Sequence, residues 1–129
     1  FYEATKKHLS PFIDQGFLHL VKSRSDDQKT LDSFDEEFFD AIIVDGAHEY
    51  EAVMNDINNW WPKLKDDGIM LFDDMYMESV SKATEVALKD KVPDYMIMQG
   101  KEAYGMAYKG KNQENKEKYI KITPENYFK

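Results

Sequence analysis

Three carboxylates and one imidazole stand at the ends of two apolar runs. In FFDAIIVDGAHEYEAVMNDINNWWPKLKDDGIMLFDDM, residues Phe38 to Met75, the run Ile42-Ile43-Val44 stops on Asp45-Gly46-Ala47-His48. The run Ile69 to Phe72 stops on Asp73-Asp74. Carboxylate oxygens suit a hard, octahedral cation such as magnesium, and such a cation would orient and acidify a hydroxyl bound to it. An imidazole has an unperturbed pKa of about 6.5, so His48 can exchange a proton near neutral pH. In an open parallel sheet, ligands collect outside the carboxyl ends of the strands. Asp45, His48, Asp73 and Asp74 are therefore expected to face one crevice. The plainer alternative is local: Asp45 caps the following helix, His48 closes its first turn, and the acid pair starts a turn.

The elements that must position these residues follow from the pattern. Asp40 to Asp45 contains an uninterrupted β-branched run, as in a strand buried on both faces of a parallel sheet. From about Glu49, apolar residues at Tyr50, Val53, Met54, Ile57, Trp60, Trp61 and Leu64 repeat at the three-four spacing of one buried helix face. Pro62 makes the last turn irregular, and Lys65-Asp66-Asp67-Gly68 turns into the strand Ile69 to Phe72. Upstream, Tyr2 to Asp14 reads as a helix broken near Ser10-Pro11, because proline removes a donor and clashes with the preceding turn. Gly16 is its stop signal. Phe17 to Val21 reads as a strand, and Gln28 to Phe34 as a short helix with Asp26 or Asp27 as N-cap. Downstream, Met77 to Lys89 forms a weaker helix ahead of Pro93. Tyr95 to Met98 and Ala103 to Tyr108 pair around Gly100 as a hairpin. Lys109 to Lys118 is a charged loop, and Tyr119 to Ile122 a short edge strand. Strands alternating with helices predict an α/β fold with a mostly parallel sheet.

Composition excludes several classes. The formal net charge of −8 disfavours nucleic acid and anionic membranes as partners, since both need Lys and Arg patches. There is no cysteine, hence no disulfide framework and no zinc-thiolate site. No run is long and apolar enough to cross a bilayer, and a cytoplasmic protein is expected. The chain begins at Phe1, within a helical pattern. One α/β domain over residues 1–129, continuing a longer protein, is the expectation.

The run from Phe39 to Asp74 resembles the second half of a class I S-adenosylmethionine-dependent methyltransferase. It is closest to the branch of sugar and macrolide O-methyltransferases and cephalosporin-hydroxylase-like proteins. The likeness extends from about Phe17 to Tyr108. It implies a Rossmann-like sheet of order 3-2-1-4-5-7-6, in which Phe17–Val21 is the third strand, Asp40–Asp45 the fourth and Ile69–Phe72 the fifth. Tyr95–Met98 and Ala103–Tyr108 would be the sixth and seventh. It also implies S-adenosylmethionine as cofactor, with Mg2+ at Asp45, Asp73 and Asp74, and His48 as the general base for an acceptor hydroxyl. Ser25, Asp26, Asp45 and Gly46 occupy the cofactor-binding positions. Two departures stand out. The family's glycine-rich loop and ribose-binding acid have no counterpart in these residues. Ser23-Arg24-Ser25 stands where the family often has glycine-aspartate-serine, so the acid is either replaced or shifted to Asp26.

The resemblance predicts methylation of a hydroxyl on a small molecule or sugar, with residues 1–129 inactive by themselves. Two alternatives stay open: a non-catalytic binding or assembly module, and a metal-dependent hydrolase- or hydroxylase-like protein. Sheet edges at Phe17–Val21 and Ile42–Val44 would invite pairing into a homo-oligomer.

Overall fold

The three-four spacing of apolar residues after Tyr50 builds the centre of the molecule. The structure, a computed structural model, describes residues 1–91, 96–98 and 104–110. Helix α3 (Tyr50–Trp60) buries Val53 and Ile57 and runs into a single 3-10 turn, Trp61–Lys63, that accommodates Pro62 at its start. Strand β2 (Leu64–Phe72) follows at once and buries Leu64, Met70 and Phe72. Helix α4 (Glu78–Leu88) packs against α3 and adds Val80, Ala83 and Leu88 to the same core.

Strand β1 (Phe39–Val44) pairs with β2 in parallel, Ile42 opposite Met70 and Val44 opposite Phe72. Strand β4 (Tyr104–Lys109) pairs with the other edge of β2 in antiparallel register, and β3 (Met96–Met98) pairs antiparallel with β4. The spatial order is β1-β2-β4-β3. That is the 4-5-7-6 half of the expected order, with the antiparallel pair at the C-terminal side. Residues 65–68 bulge out of the β1–β2 register. Asp67 there has a φ of +69°, and the Tyr108 hydroxyl donates to its carboxylate at 2.7 Å.

Three expectations for the N-terminal part and β1 require correction. Helix α1 (Tyr2–Asp14) passes through Pro11 without a break. Pro11 cannot donate to the Lys7 carbonyl, but the Ser10 hydroxyl does so instead, at 2.9 Å, which satisfies the acceptor that the missing N–H would orphan. The helix ends where predicted: Gly16 adopts a φ of +75°, while its N–H and that of Phe17 close on Ile13 and Phe12 in a Schellman motif. Phe17–Val21, however, is not a strand. Its alternation is strand-like, but no described strand lies alongside to take its hydrogen bonds, and an isolated strand is not stable in water. Third, β1 is not buried on both faces. Ile42 and Val44 pack on the core, whereas Ile43 is 68% exposed, because it points to the opposite face of the sheet, which no described helix covers at that position.

Helix α2 (Gln28–Asp32) is shorter than expected, and Asp27 is its cap, accepting from the Thr30 N–H at 2.9 Å. The loop from Lys109, the strand at Tyr119–Ile122, Pro93 and the ends of the hairpin strands at Tyr95 and Ala103 fall wholly or largely outside the described residues.

Candidate active site

The parallel β1–β2 pair delivers two acids to one point. Asp73 N–H donates to the Val44 carbonyl at 3.1 Å, one step past the end of both strands. That bond holds Asp45 and Asp73 side by side at the carboxyl edge. The chain then turns sharply: Asp74 takes a φ of +55°, its N–H is held by the Asp73 carboxylate at 2.8 Å, and its carbonyl accepts from Met77 N–H at 2.9 Å. The turn swings the Asp74 side chain toward the loop that leads into α3.

His48 meets it there. His48 Nε2 lies 2.8 Å from Asp74 Oδ2, with the imidazole about half exposed and the carboxylate mostly covered. An ionised carboxylate only accepts, so Nε2 carries the proton and Nδ1 is the nitrogen left to take one from elsewhere. Each of Asp45, Asp73 and Asp74 offers an oxygen within 4.8 Å of the others. Opposite ligands lie about 4.2 Å apart around magnesium and about 4.6–5.2 Å apart around calcium. The donor set is all oxygen and the spacing spans one cation, so these residues fit a hard divalent ion. The cleft between them, bordered by Val44, Ala47 and Val80, encloses about 10 Å³, roughly room for one water-sized sphere.

A second, larger cavity opens on the other side of Asp45-Gly46. It is a groove of about 400 Å³ along β1, reaching from Phe39 and Trp60 to Asp45 and Gly46, with Ser25 at its rim. Small-molecule sites commonly span about 300–1,000 Å³. Trp60 indole N–H donates to the Ser25 carbonyl at 3.0 Å, which ties the rim to α3. The ring also packs on Phe34 and Phe39.

The structure thus brings Asp45, His48, Asp73 and Asp74 together, and brings Ser25, Asp45 and Gly46 to the groove. Asp26 does not line it. Its carboxylate is engaged by the Arg24 guanidinium at 2.8 and 2.9 Å, and that bond holds its pKa below the ordinary carboxylate value. The sequence reading missed Asp56, which is 8% exposed on α3 and lines the groove. A signal was present: Asp56 falls between Val53 and Trp60 at the spacing of the buried face, where an acid is out of place.

A family model described as a methyltransferase domain matches residues 4–75, more than half of the chain. The chain belongs to that methyltransferase family. The match runs from within α1 through β2 and ends just past Asp73-Asp74, so Asp45, His48, Asp73 and Asp74 of the cleft, and Ser25, Asp26, Gly46, Asp56 and Trp60, lie within the methyltransferase domain. No curated protein matches the chain. Among the described residues of the domain, no helix is long and apolar enough to cross a membrane.

Proposed function

We propose that this methyltransferase domain methylates a hydroxyl of a small molecule or sugar, with S-adenosylmethionine as donor and a divalent cation assisting. The reading is carried by the convergence of His48 with Asp45, Asp73 and Asp74 at the carboxyl ends of β1 and β2. S-adenosylmethionine, when bound, supplies a methyl group on a positively charged sulfur. A divalent cation held by Asp45, Asp73 and Asp74, with magnesium as the first candidate, supplies Lewis acidity toward the acceptor oxygen.

The chain's own residues have two tasks. The first is alignment, since in-line methyl transfer needs donor and acceptor fixed in one geometry. Ser25 and Gly46 border the groove beside the cleft that holds His48, and these two are the residues proposed to meet the donor. The second task is removal of the acceptor proton. His48 is the base, and its Nδ1 accepts while the Asp74 carboxylate holds Nε2–H and steadies the imidazolium that forms. Proton removal matters because only interactions that strengthen in the transition state raise the rate.

The test is turnover of the protein with a panel of hydroxylated acceptors, with and without chelator. Methyl transfer that depends on His48 and on a divalent cation is expected. Methyl transfer insensitive to both chelator and His48→Ala would overturn the mechanism.

A further inference from the structure

Asp73 and Asp74 form a two-residue arch whose feet are Phe72 and Met75. Phe72 ends β2, and Met75 is the second residue of the turn that Met77 N–H closes on the Asp74 carbonyl. Both feet are buried, and both rest on one buried residue of β4, Gly105. A Cβ built at Gly105 would lie 3.2 Å from Phe72 Cδ2 and 3.2 Å from both Cγ and Cε of Met75. Carbon atoms pack best at about 3.5–4.0 Å, so even one methyl group there would push a foot away. Gly105 itself cannot retreat. Its backbone is held in two antiparallel ladders, opposite Phe72 of β2 on one side and Ile97 of β3 on the other. Phe72 is a rigid ring in the core, whereas methionine is flexible, so the Met75 Cε could swing aside. The Met75 Cγ could not: it lies two bonds from Cα and moves only with χ1 or with the turn itself. The displacement therefore falls on Met75, the residue next to Asp74.

We propose that Gly105 is a positioning residue for the acid pair: its bare backbone is the seat that sets where Asp73 and Asp74 stand relative to Asp45 and His48. It acts through Phe72 and Met75. Gly105 lies outside residues 4–75, so the family match gives it no role. Two contacts set how little movement the cleft tolerates. Asp73 N–H reaches the Val44 carbonyl at 3.1 Å, and His48 Nε2 stands 2.8 Å from Asp74 Oδ2. A Cβ at Gly105 would demand a shift of a few tenths of an ångström, which weakens a hydrogen bond already at 3.1 Å. A cation held by Asp45, Asp73 and Asp74 is stricter still, because magnesium demands near-ideal geometry at about 2.0–2.1 Å. The seat does not depend on any cation; its consequence for cation binding rests on the site proposed at those three residues.

The experiment compares wild type with Gly105→Ala and Gly68→Ala, by amide hydrogen exchange and by titration with Mn2+. Gly68 stands at the far end of the same β2–β4 ladder, opposite Lys109, and a Cβ there would lie 2.7 Å from Leu64 Cδ1. Gly68→Ala therefore strains the sheet away from the arch. The amides to follow are Asp73, Asp74 and Met77, whose bonds to Val44, to the Asp73 carboxylate and to Asp74 hold the arch. In Gly105→Ala their exchange is expected to rise about tenfold relative to the buried amides of α3, and Mn2+ affinity to fall about 10–100-fold. Gly68→Ala is expected to leave that exchange ratio and the Mn2+ affinity as in wild type. Wild-type exchange at the three amides of Gly105→Ala, or wild-type Mn2+ affinity, would overturn the inference. Equal changes in the two variants would overturn it too, since Gly105 would then be serving the sheet and not the arch. If Gly105→Ala does not fold, Met75→Ala decides, because it removes one foot and keeps the glycine: a selective rise at the three amides supports the inference, and unaltered exchange contradicts it. If wild type does not bind Mn2+, the proposed cation site fails, and exchange alone decides the role of Gly105.

Discussion

The two cavities that meet at Asp45-Gly46 differ in size and in what their polar groups already hold. The cleft is narrow, about 10 Å³; Val44, Val53, Phe72 and Val80 form much of its wall, and its polar groups are committed to one another, Asp73 to Asp74 N–H and Asp74 to His48. The groove is about forty times larger, 400 Å³ against 10 Å³, and most of its lining is the apolar edge of β1 with Trp60. A cleft of that size admits an ion or a single oxygen; a groove of the other size admits an organic molecule. Their adjacency lets one strand end serve both, with Asp45 and Gly46 common to the two linings. A methyl donor and an activated acceptor oxygen need such an arrangement: separate pockets that touch at one point.

The sharpest way to break the distinction is to remove the base from the cleft alone. His48→Ala is expected to lower turnover by about 10²–10⁴-fold while donor affinity stays the same; steady-state kinetics with a parallel calorimetric titration checks it. Loss of donor affinity in that variant would mean that the two cavities are one site.

Both cavities are backed by α3, which offers Val53 to the cleft and Asp56 and Trp60 to the groove. Ile57 is fully buried beneath them. Ile57→Ala is expected to cost about 2–5 kcal/mol of stability, measured by urea denaturation, and to weaken both functions together. A variant that lost only one would show that the cavities are supported independently.

Within the cleft, Asp74 is tied to His48. Asp74→Asn replaces a charged partner with a neutral one and is expected to lower turnover about 10–100-fold. Because the two residues act through one step, the double variant His48→Ala/Asp74→Asn should lose less than the product of the single losses. Multiplicative losses would assign the two residues to separate steps.

The smallest effect concerns the groove's rim. The Asp27 carboxyl is held below its ordinary pKa, first by the Thr30 backbone N–H and then by the Thr30 hydroxyl. A carboxyl with a lowered folded pKa contributes stability above its unfolded pKa, about 3.9, and loses it as pH falls through the folded value. The rim should therefore loosen below about pH 4, and Asp27→Asn should flatten that dependence. The NMR signal of the Trp60 indole N–H, which donates to the Ser25 carbonyl, followed from pH 7 to pH 2, reads this. An identical acid transition in Asp27→Asn would remove the cap from the explanation.

The cleft was legible in the sequence because its parts are local and directional. A β-branched run ending in Asp-Gly and a second run ending in Asp-Asp fix four side chains once the strands are parallel, and the helix period between them requires that topology. The groove was not legible in the same way. Its floor is the uncovered edge of β1, and the run Ile42-Ile43-Val44 reads as a doubly buried strand whether or not a neighbour is present. The order β1-β2-β4-β3 could be read from the resemblance, but not from pattern alone. Phe17–Val21 shows the limit most plainly: alternation marks a segment able to pair, while pairing itself depends on a partner elsewhere in the chain. Pro11 shows another, since only the structure reveals that Ser10 takes over its missing hydrogen bond.

One measurement addresses the division of labour directly: backbone NMR of the protein titrated separately with Mn2+ and with S-adenosylhomocysteine. Paramagnetic broadening by Mn2+ is expected at Asp45, His48, Asp73 and Asp74 and not at Ser25 or Trp60. The nucleoside is expected to shift Ser25 and Gly46, and to leave Asp73 and Asp74 in place. Broadening by Mn2+ centred away from the three aspartates, or nucleoside shifts that spare both Ser25 and Gly46, would contradict the account.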